Sequence, residues 1–426
     1  MPPYPIRDAL QMEMALSTGC TEVGCIALLT AVAAKELGAV PDQIDLFVSP
    51  NILKNGINVC VPGTGGRGLP IAAAMGCVIQ NPQAGLSILE QSTPSQLAAA
   101  QALVSGKKVR IHLAQTDQLI YARAVVKKES LTVTATLSGS HQHVREITRD
   151  GKVCFFSGEE DASQTETYHF RGMAAQTLIN AALDENPAQY DFLWDAARIN
   201  LQAAQAGLAQ SSGGLGHALE KMQDELPLPY AAIQQAQLWT SAASEARMAG
   251  LPVPVMSIAG SGNHGIANFL GMYSVGKALA APREKIIQAL ILSSVLTVYI
   301  KEYTGRVTAY CGSALAPTAG VAAGTVFLLG GDTPAMLAAM QTLLGTYTGI
   351  LCDGAKESCA YKVSRGVSAA VEAAFLAMEQ ASIPPENGIV GQNLEETLHN
   401  LGRVNDPGMA ETDHLVLEMI RQRADQ

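Results

Sequence analysis

Residues 107–156 read KKVRIHLAQTDQLIYARAVVKKESLTVTATLSGSHQHVREITRDGKVCFF, and their period decides the fold class. Apolar and polar side chains alternate along Val109 to Ala114, Leu119 to Val126, Leu131 to Leu137, His143 to Thr148 and Lys152 to Phe156, with polar turn residues between the runs. Alternation of period two is the pattern of a half-buried strand, and short polar breaks join such strands as hairpins. The stretch predicts an antiparallel sheet. His141 and His143 flank one strand start and are expected on a sheet edge, since no acidic or thiol side chain stands beside them at metal-ligand spacing.

N-terminal to the sheet, residues 7–37 carry a helical pattern interrupted at Ser17-Thr18-Gly19-Cys20-Thr21-Glu22. Gly19 weakens a continuous helix, so Cys20 is placed at a helix start, where a thiol gains thiolate character. Ile44 to Val48 and Ile57 to Val61 read as strands, with Ser49-Pro50-Asn51-Ile52-Leu53-Lys54-Asn55-Gly56 as a polar turn between them. Pro62-Gly63-Thr64-Gly65-Gly66-Arg67-Gly68 then leads into a helix over 69–78. Its G-x-G-x-x-G spacing also opens a dinucleotide site, but no second parallel strand follows the helix. The same spacing recurs at Gly260-Ser261-Gly262-Asn263-His264-Gly265. Both loops are read as small-anion sites at helix N-termini.

After an acidic stretch at 157–165, read as a linker, nearly all of the chain is helical: about 167–184, 187–209, 213–223, 227–247, 264–279, 282–299, 314–329, 333–345, 360–380 and 390–401. The expectation is an α+β fold. An N-terminal mixed α/β domain (1–160) carries the antiparallel sheet, Cys20 and the first Gly-rich loop. A large all-α domain (161–426) carries the second loop and three further cysteines. These are Cys311, Cys352 and Cys359, the last two in Cys352-Asp353-Gly354-Ala355-Lys356-Glu357-Ser358-Cys359, with Asp353 expected to cap a helix. The spacing matches neither a ferredoxin run nor paired zinc knuckles. Three thiolates can hold an iron–sulfur cluster with one iron open to substrate, and three small buried hydrophobes are the alternative.

Composition narrows the function classes. The 426 residues are 48% hydrophobic and 15% charged, with net charge −10 and basic residues only in isolated pairs, which argues against nucleic acid. The apolar runs 286–300 and 314–329 carry Gln288, Ser293 and Ser294, or many Gly, Ala and Thr, and read as buried helices, so no membrane partner is expected. Eight unevenly spaced cysteines behind a start with no apolar signal core point to the reducing cytoplasm.

Taken together, Thr18-Gly19-Cys20-Thr21-Glu22, Ser49-Pro50-Asn51-x-x-Lys54-Asn55-Gly56, Val61-Pro62-Gly63-Thr64-Gly65, Gly260-Ser261-Gly262-Asn263-His264-Gly265 and Cys352-Asp353-Gly354-Ala355-x-x-x-Cys359 resemble the L-cysteine desulfidase family over roughly residues 10–420. That family is related to the α region of iron–sulfur L-serine dehydratases. The resemblance implies a 4Fe–4S cluster on Cys311, Cys352 and Cys359 with one open iron, no pyridoxal phosphate, and conversion of L-cysteine to pyruvate, ammonia and sulfide. The chain lacks the Ser/His-rich motif of the dehydratases around Cys20, and its last two cysteines stand closer together than theirs. Both departures favour the desulfidase branch, with an L-serine dehydratase, a non-catalytic iron–sulfur sensor and a nucleotide-dependent oxidoreductase as the other readings.

In this scheme Cys20 is the catalytic base, a fourth cluster ligand or a packing residue. Asn51, Lys54, Asn55, Gly63, Thr64, Gly65, Ser261, Gly262, Asn263 and His264 are expected to hold an amino-acid substrate in a homodimeric enzyme. Cys20 should approach the other three thiols across a cleft onto which both loops open, with Lys54 and Asn55 on its rim.

Overall fold

A computed structural model describes residues 4–157, 169–210, 214–221 and 227–424. The fold is α+β, with a sheet region in the N-terminal part and a large helical C-terminal part. Its strands are β1 (Met14–Thr18), β2 (Gln43–Val48), β3 (Val109–Leu113), β4 (Tyr121–Lys128), β5 (Leu131–Ser138), β6 (Val144–Arg149), β7 (Lys152–Phe156) and β8 (Pro254–Ile258). Six of them form one sheet in the order β3-β2-β4-β5-β6-β7. Four of its pairings are antiparallel, whereas β2 and β3 run parallel because the helices at 50–105 carry the chain back across the sheet between them. The alternating run predicted the five strands β3 to β7 to within a few residues.

Three local expectations are corrected. Residues 14–18 are a strand rather than helix, and 254–258 pairs with them antiparallel. The first strand was hidden because Met14-Ala15-Leu16 also suits a helix, and only the partner strand 240 residues on selects the extended form. The polar turn at 49–56 is a helix, Pro50–Gly56, with Pro50 at a first-turn position that needs no amide donor. Ile57 to Val61 is not a strand and contributes only an isolated bridge between Cys60 and Arg67. The acidic stretch at 158–165 lies outside the described residues.

Two apolar cores result. One is built by the sheet and the helices Thr21–Leu37 and Leu69–Ile79, and Leu417 of the C-terminal helix Ala410–Ala424 joins it. The other is helical throughout and takes in Ile6, Ala9 and Leu10 from the first helix. Each end of the chain therefore packs into the core of the opposite half. The helix Arg283–Thr304 is long and apolar enough to cross a membrane, but 89% of its most apolar window is buried inside the fold, as expected for a core helix.

Candidate functional site

The site is built where the ribbon β1–β8 joins the two halves. After β1, Gly19 adopts φ +70° and Cys20 becomes the N-cap residue of the helix Thr21–Leu37. A Cβ on Gly19 would lie 2.4 Å from the Pro62 ring, so the first Gly-rich loop is packed directly on this turn. Cys20 thus sits at a helix start, as expected, but the expected gain of thiolate character is corrected. The side chain is buried, and its Sγ lies 2.8 Å from Glu22 Oε2. Burial first, and then the Glu22 carboxylate, push the thiol well above its ordinary pKa. The helix terminus is outweighed because a full charge in direct contact exceeds a partial one.

Glu22 is the residue that sequence reasoning passed over. Its Oε1 accepts from Asn55 Nδ2 at 2.7 Å and lies 3.9 Å from His141 Nε2. Burial alone raises a carboxyl, but His141, the Cys20 thiol and the Asn55 amide together hold this one below its usual value. His141 is not on an exposed edge. It is buried, its Nε2 has no hydrogen-bond partner, and burial and Arg306 lower its pKa. The motif Thr21-Glu22 carried the signal for the carboxylate. Nothing in the sequence announced His141, because the sheet folds it onto a helix that begins 120 residues earlier.

The three C-terminal cysteines come from two adjoining segments. An antiparallel bridge between Tyr310 and Leu351 sets Cys311 N–H on Ile350 O at 2.6 Å and Cys352 N–H on Ala309 O at 2.8 Å. Cys359 lies in the first turn of the helix Ser358–Met378, with its Sγ 3.6 Å from Gly354 O. Gly354 has φ +91°, and a Cβ there would stand 2.4 Å from Lys54 O, so the cysteine loop rests on the end of the Pro50–Gly56 helix. Asp353 does not cap the following helix. Its carboxylate pairs with Lys356 and Lys362, and both ammonium groups hold it below its ordinary pKa against burial.

The thiols lie within one another's electrostatic field. Burial, then Cys352 and Cys359, push the Cys311 thiol up to about 12, and burial, with Cys352 adding, raises Cys359. Among the described residues no three His, Cys, Asp or Glu side chains converge on a single metal ion. An iron–sulfur cluster spreads its ligands over the corners of a larger body. Three thiolates that repel one another suit such a cationic core, so the donor set fits a cluster better than one ion. Cys311, Cys352 and Cys359 are the residues that would hold it.

Other predicted residues fall around this centre in different ways. Asn55 touches Glu22, and Asn51, one turn earlier on the same helix, has a buried Oδ1 without a partner. Lys54 is not on a rim. It is buried and ion-paired with Asp413 of the C-terminal helix. The first Gly-rich loop, with Gly63, Thr64 and Gly65, contacts the cysteine segment through Arg67 and Glu357, 2.7 Å apart. Its anion-ready amides are corrected: Thr64 N–H bonds to Val61 O, Gly66 N–H to Thr64 Oγ1 and Gly68 N–H to Val59 O. A loop closed on itself has fewer donors to offer. In the second loop Ser261 N–H and O both bond back to Ile258, so the helix from Gly262 folds over β8. Asn263 Oδ1 accepts from Ser244 at 3.3 Å. His264 is buried with Nδ1 unpartnered, and burial, then Lys301, take its pKa well down.

Two grooves lie away from the cysteines. A groove of about 780 Å³ runs between Tyr230 and Leu376, and one of about 440 Å³ lies beside Arg306 and His143; neither is lined by any of these cysteines.

The model of the family described as serine dehydratase alpha chain matches residues 83–418. A UPF0597 protein of Methanocella arvoryzae is 43% identical over 412 residues, covering 97% of each chain. UPF0597 proteins of Clostridioides difficile (35% over 419 residues, 97% of this chain and 98% of that one) and Desulfatibacillum aliphaticivorans (33% over 433 residues, 99% and 98%) match at similar coverage.

Proposed function

Because the chain belongs to the serine dehydratase alpha-chain family, together with the UPF0597 proteins of the L-cysteine desulfidase group, we propose that this lyase-like protein eliminates sulfide from L-cysteine. The products are pyruvate, ammonia and sulfide. The observation that carries the reading is the thiol–carboxylate pair Cys20–Glu22, tied through Asn55 and Gly354 to the segment that bears Cys352 and Cys359.

β-Elimination needs a base for the α-proton, an acceptor for the leaving group and donors that orient the carboxylate. A 4Fe–4S cluster on Cys311, Cys352 and Cys359, when bound, supplies a Lewis-acidic iron for the departing sulfur. The protein supplies the rest. Glu22 stays ionised, accepts the hydrogen bond of the resting Cys20 thiol and is held in place by Asn55. Cys20 in its thiolate form, with the Arg247 guanidinium offsetting part of the Glu22 repulsion, takes the α-proton of the substrate. The Cα–H electron pair forms the new carbon–carbon double bond as the carbon–sulfur bond breaks, and the enamine then hydrolyses with water to pyruvate and ammonia. The reducing cytoplasm suits this assignment, since all eight cysteines are free.

L-Serine is the competing substrate, favoured by the description of the matching family. Anaerobically purified protein is to be assayed for pyruvate from each amino acid. Turnover of L-cysteine well above L-serine is expected, and turnover of L-serine alone would assign the dehydratase reaction. Cys20→Ser should keep iron content and lose most turnover, because near neutral pH a serine hydroxyl is a far poorer base than a thiolate. Wild-type turnover in that variant removes Cys20 from the mechanism.

A further inference from the structure

Next to the cysteines lie two buried basic side chains that no carboxylate pairs with among the described residues. Arg247 is 3% exposed and Lys301 5%, yet Arg247 Nε and Lys301 Nζ have no hydrogen-bond partner. Among the described residues neither has a carboxylate within ion-pair distance. A buried charge left in this state is costly and is retained where something else completes it. Both cations pack against glycines whose missing Cβ lets them come this close. A Cβ on Gly262 would lie 2.4 Å from Arg247 Nε, and one on Gly312 would lie 3.3 Å from Lys301 Nζ and 3.0 Å from His264 Nε2. Gly312 directly follows Cys311.

The surroundings say which anion fits. Arg247 Nη2 reaches Thr21 Oγ1 at 3.4 Å, so its guanidinium stands beside the start of the helix that carries Glu22. Its field acts on both Cys20 and Cys359. Positive charge at Arg247 and Lys301 with negative charge at Glu22 matches a zwitterion, with the carboxylate on the cations and the ammonium toward Glu22 and the free Asn51 Oδ1.

We propose that Arg247 and Lys301, with His264 beside them, form the pocket for the α-carboxylate of an L-amino acid, between Cys20 and the three cluster cysteines. The proposal deepens the lyase reading and rests on it for the reaction, while the binding it describes can be measured separately.

The test uses the cluster-loaded, full-length protein under anaerobic conditions. The probes are 3-mercaptopropionate, which has thiol and carboxylate but no ammonium, and cysteamine, which has thiol and ammonium but no carboxylate. Calorimetry should show 3-mercaptopropionate binding more tightly than cysteamine. Arg247→Ala should weaken it at least tenfold with iron content unchanged, and added guanidinium ion should restore part of the affinity. If Arg247→Ala fails to fold, Arg247→Lys serves, with a smaller loss expected. Lys301→Met should also weaken the carboxylate probe at unchanged iron content. Unchanged affinity in both variants overturns the pocket. Loss of iron from Lys301→Met instead assigns that amine to the cluster and removes it from the pocket. Wild-type protein that binds 3-mercaptopropionate through Arg247 but makes no pyruvate refutes the lyase reading and leaves the pocket standing.

Discussion

The ion pair between Lys54 and Asp413 offers the sharpest test of how the two halves are held around the site. Its partners differ in burial: the Lys54 side chain is 1% exposed and that of Asp413 20%. The two deletions should therefore cost different amounts. Lys54→Met keeps the aliphatic stem packed and leaves Asp413 able to turn toward water, for a loss of about 1 kcal/mol, the scale of a partly solvated pair. Asp413→Ala strands a desolvated ammonium, for which about 3–5 kcal/mol is the usual cost of breaking a buried pair. The double variant should recover much of that loss, giving a coupling of about 2–3 kcal/mol. Asp413 is carried by the helix Ala410–Ala424, which also buries Leu417 and Ile420. The loss should appear as local opening of that helix, with amide exchange a hundredfold or more faster in Asp413→Ala. Equal, small effects of the two single variants would refute the argument from unequal burial. The double variant also weighs Lys54 as a substrate ligand: an unchanged KM for L-cysteine leaves the lysine a tether alone.

Gly354→Ala must move the cysteine loop, because its Cβ would lie 2.4 Å from Lys54 O at φ +91°; iron retention should fall while far-ultraviolet circular dichroism stays unchanged, and full iron content would refute the packing argument. Glu22→Gln removes the negative charge against the Cys20 thiol, so thiolate absorbance assigned by comparison with Glu22→Gln/Cys20→Ser should appear at lower pH than in the wild type; an unmoved titration means that Glu22 does not govern Cys20. In cluster-free protein burial holds Lys301 down to about 7 when folded, against 10.5 for an ordinary lysine, so between those limits the unfolded chain binds more protons and stability should rise with pH, by at most about 1.4 kcal/mol per unit. Lys301→Met should flatten that slope in urea unfolding measured from pH 7 to 10, and a slope that survives belongs to another group.

The sequence by itself determined what local pattern can determine. Period-two alternation from 107 to 156 marked five strands; in β4 and β5 it follows one buried face, whereas every residue of β7 is exposed. Apolar segments bounded by Gly and Pro marked most helices of the second half. Gly19 before Cys20 marked a break at a helix start, and the spaced glycines and cysteines carried the family. Tertiary structure decided the remainder. Met14 to Thr18 is a strand only because Pro254 to Ile258 supplies the matching edge. Lys54 reads as a polar turn residue until Asp413, from the other end of the chain, satisfies its charge. Glu22, His141, Arg247 and Lys301 carry the electrostatics around the thiols, and each is unremarkable in sequence. A charge becomes functional through what desolvates it and what faces it, and both are supplied by residues far away along the chain.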